Sequence, residues 1–177
     1  MFKNFFSKKK EPAYDSTNIK ITDLELGFVF DYNLSTWKVE EAYTYDWGNN
    51  VFSREYKINN GKEQLFLSVD TEDDLELTLS KRIRLGQIQE DILNTIGKNR
   101  ETPSELHFEN ETYHFEEKAP GFWQETGKKN WEELESFEYY KEDGSKVLTI
   151  EQWDDDEFEA SIGSHIKPFE ISNILPA

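Results

Sequence analysis

Residues 32–41 (YNLSTWKVEE) and residues 108–117 (FENETYHFEE) share one pattern of residue types at an offset of 76 positions. Each segment starts with an aromatic residue and a short polar stretch, continues with Thr, an aromatic, a polar and an apolar residue, and ends with two Glu. The same offset carries Trp47 onto Trp123, and an offset of 83 aligns later strand and turn positions. Chance similarity between acidic strands is the alternative, but the matching turns favour an internal repeat, in which one structural unit occurs twice.

Apolar and polar residues alternate along the first copy, from Trp37 to Trp47, from Phe52 to Ile58 and from Leu65 to Val69. This period of two is typical of half-buried β-strands. Residues 59–61 (NNG) in the first copy and 142–144 (EDG) in the second are typical of hairpin turns. The sequence therefore predicts a mainly β fold of two repeated antiparallel β meanders, arranged as a sandwich or as small barrels.

Between the copies, apolar residues recur at helical spacing and stop before Gly97; they are Leu85, Ile88, Ile92, Leu93 and Ile96. They predict one connecting α-helix of about twelve residues that covers the β core with a single apolar stripe. A helix that binds a partner is the alternative. The resulting organisation is a basic-aromatic N-terminal tail and spacer over 1–18, a first β repeat with the helix over 19–100, and a second β repeat with a C-terminal turn over 101–177.

Composition narrows the classes of function. The chain has 177 residues, no Cys and a net charge of −17, which excludes disulfides, thiol nucleophiles and Cys-based zinc sites. So acidic a chain repels phosphate backbones and argues against nucleic-acid binding. Solubility is the simple explanation of the acidity, and a basic or polycationic partner is the specific one. Neither a signal-peptide pattern nor an apolar stretch of the ~20 residues needed to span a membrane is present, so we expect a cytoplasmic protein.

Residues with catalytic or metal-binding chemistry form no recognisable motif. We expect His107 and His114 to face each other across a hairpin turn at 110–111, as a structural pair, and His165 to be a solvent-facing counterpart of Arg82. The acidic runs at 70–74 and 154–157 lack the EF-hand spacing and are expected in turns between strands. The sequence therefore predicts no catalytic residue, no cofactor and no metal site.

The N-terminal tail differs from the rest of the chain because its first ten residues contain four Lys, three Phe and no acid. Aromatic side chains partition into lipid headgroups, and Lys is attracted to anionic membrane surfaces. A frayed soluble tail is the simple interpretation, and peripheral membrane attachment is the specific one. The predicted membrane-contact residues are Phe2, Phe5, Phe6, Lys8, Lys9 and Lys10.

A resemblance to a known family covers roughly residues 24–167. The stretches 26–32 (LGFVFDY), 37–39 (WKV), 45–47 (YDW) and 54–56 (REY) resemble a bacterial family catalogued as domain of unknown function 4178. The resemblance implies a small β domain without an assigned activity and carries over no catalytic residue. It also implies a genomic context, because members are often encoded near membrane-stress proteins, small membrane proteins and polyamine-synthesis enzymes.

Taken together, these observations predict a cytoplasmic, non-enzymatic accessory or binding module, peripheral to the inner face of a membrane in the more specific hypothesis. Its partner would be an unknown protein or a basic ligand. The alternative is an enzyme or a small-ligand-binding protein with a pocket between the two copies. A convergent cluster of polar groups in such a pocket would favour the alternative.

Overall fold

The computed structural model describes residues 14–15, 17–154 and 157–177, and the described chain is mainly β. Its strands are β1 (Val29–Tyr32), β2 (Ser35–Asp46), β3 (Phe52–Asn59), β4 (Gln64–Asp70), β5 (Glu76–Ile83), β6 (Glu105–Phe108), β7 (Glu111–Glu125), β8 (Glu132–Lys141), β9 (Val147–Asp154), β10 (Glu157–Ile166) and β11 (Ser172–Leu175). All pairings between these strands are antiparallel. The predicted fold class is therefore confirmed at the level of a mainly β, antiparallel protein.

The two halves form one continuous sheet in the order β11-β1-β2-β3-β4-β5-β10-β9-β8-β7-β6. An additional pairing joins β2 to β7, with Tyr43 opposite Glu125 and Asp46 opposite Phe122. This pairing closes the eight strands from β2 through β5 and β10 through β7 into a ring. The prediction of a sandwich or of separate small barrels was therefore wrong in this detail, because β5 pairs along β10 and β2 pairs with β7.

Two hydrophobic cores lie against the outward faces of this ring, one on each half. The first core contains Trp37, Val39, Tyr56 and Leu67 and is covered by residues before β1 and by Ile171. The second contains Tyr113, Phe137, Leu148 and Ile150 among its members, and the segment between the halves covers it. Because side chains alternate along a strand, the opposite faces of the same strands point into the ring, where most residues are polar.

The predicted connecting α-helix is wrong. Its span contains a 3₁₀ turn (Leu85–Gln87) and a π-helix (Leu93–Lys98). Ile88 instead forms an isolated bridge to Phe108, and the Gln89 N–H donates to the His107 carbonyl at 3.0 Å. These contacts with β6 occupy backbone groups that an α-helix would need, although Ile88, Ile92 and Ile96 are buried as an apolar stripe should be. No helix in the described part of the chain is long and apolar enough to cross a membrane.

The proposed repeat agrees with the structure in strand order but not in every register. The β2–β3 ladder is irregular between Val39 and Glu41, and the β7–β8 ladder between Phe115 and Glu117, 76 positions later. However, Val39 pairs with Ile58, whereas Phe115 pairs with Tyr139 and not with Lys141, as the offset of 83 requires. The sequence alignment of β3 with β8 is therefore two residues out of step, and the duplication itself remains a prediction.

Candidate ligand-binding cavity

The inward faces of all eight ring strands line one cavity of about 390 Å³, called the central chamber below. Its wall carries Glu55 on β3, Arg82 on β5, Glu138 on β8 and Glu151 on β9, together with Tyr45 on β2. Serine and threonine hydroxyls occupy much of the remaining wall; they belong to Ser53, Ser68, Thr78, Ser80, Ser136, Thr149 and Ser161. The sequence folds in this way because most strands place their apolar residues on an outer core and leave the other face to the chamber. On β2 the irregularity between Val39 and Glu41 reverses the alternation, so Val39 lies in an outer core and Tyr45 faces the chamber.

Arg82 organises the charges at one side of the chamber. Its Nη1 lies 2.8 Å from Glu151 Oε2, and its Nη2 lies 2.8 Å from Glu159 Oε2. The guanidinium carbon also lies 4.8 Å from the centre of the Phe66 ring, which is a cation–π distance. Burial acts to lower the pKa of Arg82, but the charges of Glu151 and Glu55 outweigh it and raise that pKa. Arg82 therefore stays charged and neutralises Glu151.

Glu55 is a second carboxylate inside the ring, and its partners are hydroxyls. Tyr45 Oη donates to Glu55 Oε1 at 3.3 Å, and Ser68 Oγ donates to Glu55 Oε2 at 3.3 Å. Tyr45 Oη also lies 3.2 Å from Glu151 Oε1, so one hydroxyl proton is shared between two carboxylates. Burial raises the pKa of Glu55 to about 7, with the charge of Glu151 adding to the increase and Arg82 opposing it. Near neutral pH, Glu55 thus exchanges between its protonated and ionised forms.

Glu138 and several other carboxylates add negative charge to the chamber wall. Burial raises the pKa of Glu138, and Tyr140 Oη donates to its Oε2 at 3.2 Å. Four further carboxylates line the chamber; they belong to Asp70, Glu72, Glu76 and Glu117. His165 stacks on Tyr140 with ring centroids 5.9 Å apart, and its Nδ1 lies 3.1 Å from Thr78 Oγ1. This hydroxyl–imidazole contact is exposed, so water competes with it, and we interpret it as structural.

Sequence comparison shows which protein family this chain is similar to. The family described as Domain of unknown function (DUF4178) matches residues 25–168. The chain belongs to this family. It is also 25% identical to an uncharacterised protein of Aquifex aeolicus (strain VF5), over 98% of this chain and 96% of the relative. No solved structure matches the chain.

The residues predicted to contact a membrane, Phe2, Phe5, Phe6, Lys8, Lys9 and Lys10, lie outside the described residues. The structure therefore leaves that prediction as it was. Of the acidic runs, residues 70–74 lie at the connection between β4 and β5, as expected. The second run lies between β9 and β10, and part of it is outside the described residues. The described residues contain no group of three or more candidate metal ligands.

The predicted facing pair of His107 and His114 is wrong, because the observed pairing is shifted by two residues. The turn falls at 109–110, so His107 pairs with Thr112 and His114 with Glu105. His107 instead contacts Glu90. Its ring Nδ1 lies 2.6 Å from Glu90 Oε1, and its backbone N–H donates to Glu90 Oε2 at 2.8 Å. His165 lies at the chamber wall and is exposed there, as predicted. Arg82 is half-buried in the same wall and forms ion pairs, so a solvent-facing role does not describe it.

Sequence reasoning missed Glu55, Arg82 and Glu151 as site residues. Each lies in the polar phase of a strand whose other phase is apolar, which is also the pattern of a sheet with one face in water. The alternation itself was therefore visible. What could not be seen was that the polar faces of both halves point at each other, because this depends on the β2–β7 and β5–β10 pairings.

Proposed function

We propose that this chain is a non-enzymatic binding protein whose central chamber holds a small organic cation with a primary amine. The observation that carries the proposal is that the carboxylates of Glu55 and Glu138 lie in the chamber without an ion-pair partner among the described residues. Both carboxylates lie in the chamber, and in the described part of the chain the ion pairs involve neither of them. A carboxylate removed from water without a contacting cation is unfavourable, and the charge of Arg82 offsets only part of the burial of Glu55. A proton or a bound cation must therefore compensate it.

The chemistry of the wall favours an amine. A primary ammonium group has three N–H donors and no acceptor, which suits carboxylate oxygens flanked by tyrosine and serine hydroxyls. Carboxylates outnumber basic groups around the chamber, and Arg82 is already neutralised by Glu151 and Glu159. The volume of about 390 Å³ lies in the range of small-ligand sites. The polyamine-linked context implied by the family resemblance supports the same ligand class.

Calorimetric titration with 1,4-diaminobutane tests this proposal, with 1,4-butanediol as the uncharged ligand of matched length. The diamine should bind at least tenfold more tightly than the diol, and binding should tighten from pH 6 to pH 8 as Glu55 loses its proton. Glu55→Gln and Glu138→Gln should each weaken binding, whereas Glu116→Gln, on the exposed part of β7, should not. Equal binding of diamine and diol, or no binding of either, would refute the proposal.

We propose in addition that the tail attaches this accessory protein to the cytoplasmic face of a membrane. The support is the contrast between four Lys and three Phe in residues 1–10 and the acidity of the remaining chain. Because the Lys attraction decays within a Debye length of about 8 Å at physiological salt, attachment should be weak and salt-sensitive. Flotation with anionic and neutral vesicles tests it. Changing Lys8, Lys9 and Lys10 to Glu should abolish anionic binding, and a full-length protein that ignores anionic vesicles at low salt would refute it.

We also infer that the two halves derive from duplication of one meander. Shared strand order and ladder irregularities 76 residues apart support this. An experimental structure in which residues 26–83 and 102–166 superpose strand for strand would agree with the inference, and a different strand order in the two halves would contradict it.

A further inference from the structure

A second cavity, of about 580 Å³, opens beside the Arg82 cluster and is called the aromatic chamber below. Four of its lining residues are aromatic: Tyr43, Phe66, Trp123 and Trp153. Glu55 and Arg82 line both chambers, so the Arg82 ion pairs lie between them. The aromatic residues belong to a hydrophobic cluster of their own, separate from the two outer cores.

The rings of the aromatic chamber form adjoining walls. Trp123 and Trp153 have ring centroids 5.3 Å apart and planes at 82°. Tyr43 lies 5.3 Å from Trp123 with planes at 32°. Tyr43 is only 8% exposed, whereas Trp123 and Trp153 keep part of their surface open. The two indoles are in edge-to-face contact, and the tyrosine packs beside one of them, so the three rings form one continuous aromatic wall.

The charge around these rings is negative. Carboxylates of Glu132, Glu133, Glu157 and Glu159 line the chamber together with Glu55. Its two basic groups already have acidic partners, since Lys57 Nζ lies 2.6 Å from Glu41 Oε1 and Arg82 contacts Glu159 at 2.8 Å. Arg82 above Phe66 also shows that one aromatic wall here accommodates a cation. The chamber is therefore suited to a positively charged group that contacts rings.

We propose that the aromatic chamber binds the quaternary ammonium group of a small solute. A quaternary ammonium ion has no N–H donor, so it gains little from the hydrogen-bonding wall of the central chamber. Aromatic faces attract it through the ring quadrupole, and Trp is the strongest of them. The nearby carboxylates add a favourable potential without direct hydrogen bonds. The two chambers thus select different cations, and this assignment does not depend on the amine ligand proposed for the central chamber.

NMR titration of the full-length wild-type protein tests the assignment without a mutation in the chamber. Tetramethylammonium chloride is added, with ammonium chloride at the same ionic strength as the control. The indole N–H signals of Trp123 and Trp153 should move with a saturable dependence on tetramethylammonium, while the signal of Trp131, which lines none of the described cavities, should not. Equal shifts with both salts, or shifts at all three indoles alike, would overturn the assignment.

Variants then measure the contribution of the rings. A cation–π contact with a partly desolvated Trp corresponds to roughly tenfold in affinity. Trp123→Leu and Trp153→Leu should each weaken tetramethylammonium binding by about that factor, and Trp131→Leu should leave it unchanged. Each variant is first shown to unfold cooperatively in urea. A folded Trp153→Leu protein with wild-type affinity would overturn the proposal.

The source of the quaternary group is distinguished by three further ligands. Choline should bind at least as tightly as tetramethylammonium, because the chamber volume matches a small solute. A peptide containing trimethyl-lysine and vesicles of phosphatidylcholine carry the same group on larger partners. Tighter binding of either one than of choline would overturn the assignment to a free solute.

Discussion

Replacing Glu55 with Gln should change how the stability of the protein depends on pH. Burial raises the pKa of Glu55 from its ordinary value of 4.5 to about 7, with Glu151 adding to the effect and Arg82 opposing it. Between these two pH values, the folded protein holds a proton at this site that the unfolded chain has released. The free energy of unfolding contributed by Glu55 therefore falls as pH rises from 4.5 to 7, and it is constant above that.

The magnitude follows from the same two values. One pKa unit corresponds to about 1.4 kcal/mol, so ionised Glu55 destabilises the folded state by about 3 kcal/mol above pH 7 relative to its protonated form. Gln keeps the shape of the protonated side chain but does not titrate. Glu55→Gln should therefore resemble the wild-type protein at pH 5 and exceed its stability by about 2–3 kcal/mol at pH 8.

Urea unfolding at constant ionic strength from pH 5 to pH 8 measures this difference; urea is preferred because guanidinium salts screen charges. The groups that face Glu55 are Tyr45, Ser68, Arg82 and Glu151, and all of them remain in the variant. Glu116→Gln is the matched control on an exposed position, and its difference from wild type should stay flat. A flat difference for Glu55→Gln, or one that grows towards acid pH, would refute the reasoning.

Further expectations concern the ring itself. Arg82→Met leaves Glu151, whose side chain is 9% exposed, without its cation. The free energy of unfolding, measured with urea at pH 8, should fall by about 2 kcal/mol. This is less than for fully buried pairs, because Arg82 is 31% exposed. Gly121→Ala should cost about 1–3 kcal/mol, because its Cβ would lie 2.6 Å from Trp47 Cε3 at the β2–β7 seam. Gly86→Ala has open space and should leave the urea midpoint within error of wild type.

The connecting segment shows how a correct pattern led to a wrong element. The spacing of Ile88, Ile92 and Ile96 indicates one apolar face, and all three residues are buried. A helix was the ordinary way to bury that face, but the backbone at Ile88 and Gln89 pairs with β6. Periodicity reports which side chains face a core, whereas the backbone conformation depends on which hydrogen-bond partners the tertiary structure brings close.

The candidate site also combines a feature visible in the sequence with one that only the tertiary structure decides. Polar residues such as Glu55 and Ser68 alternate with apolar neighbours, and this alone predicted strands with one buried face. It predicted the opposite face to be solvated, which is the usual outcome for an antiparallel sheet. The cavity exists because the polar faces of two halves enclose a common space, and no local pattern within either half carries that information.

The sequence by itself determined the mainly β class, the family, the positions of most strands and turns, and the apolar phase of most strands, because these depend on neighbouring residues along the chain. Only the tertiary structure decided that the strands close into a ring and that Glu55, Arg82 and Glu151 meet inside it. These three residues lie on β3, β5 and β9, and the order of these strands in the ring is fixed by pairings between residues far apart in sequence. Raised carboxylate pKa values, shared hydroxyl protons and the two chambers follow from that closure, since burial of a charge depends on what surrounds it in space.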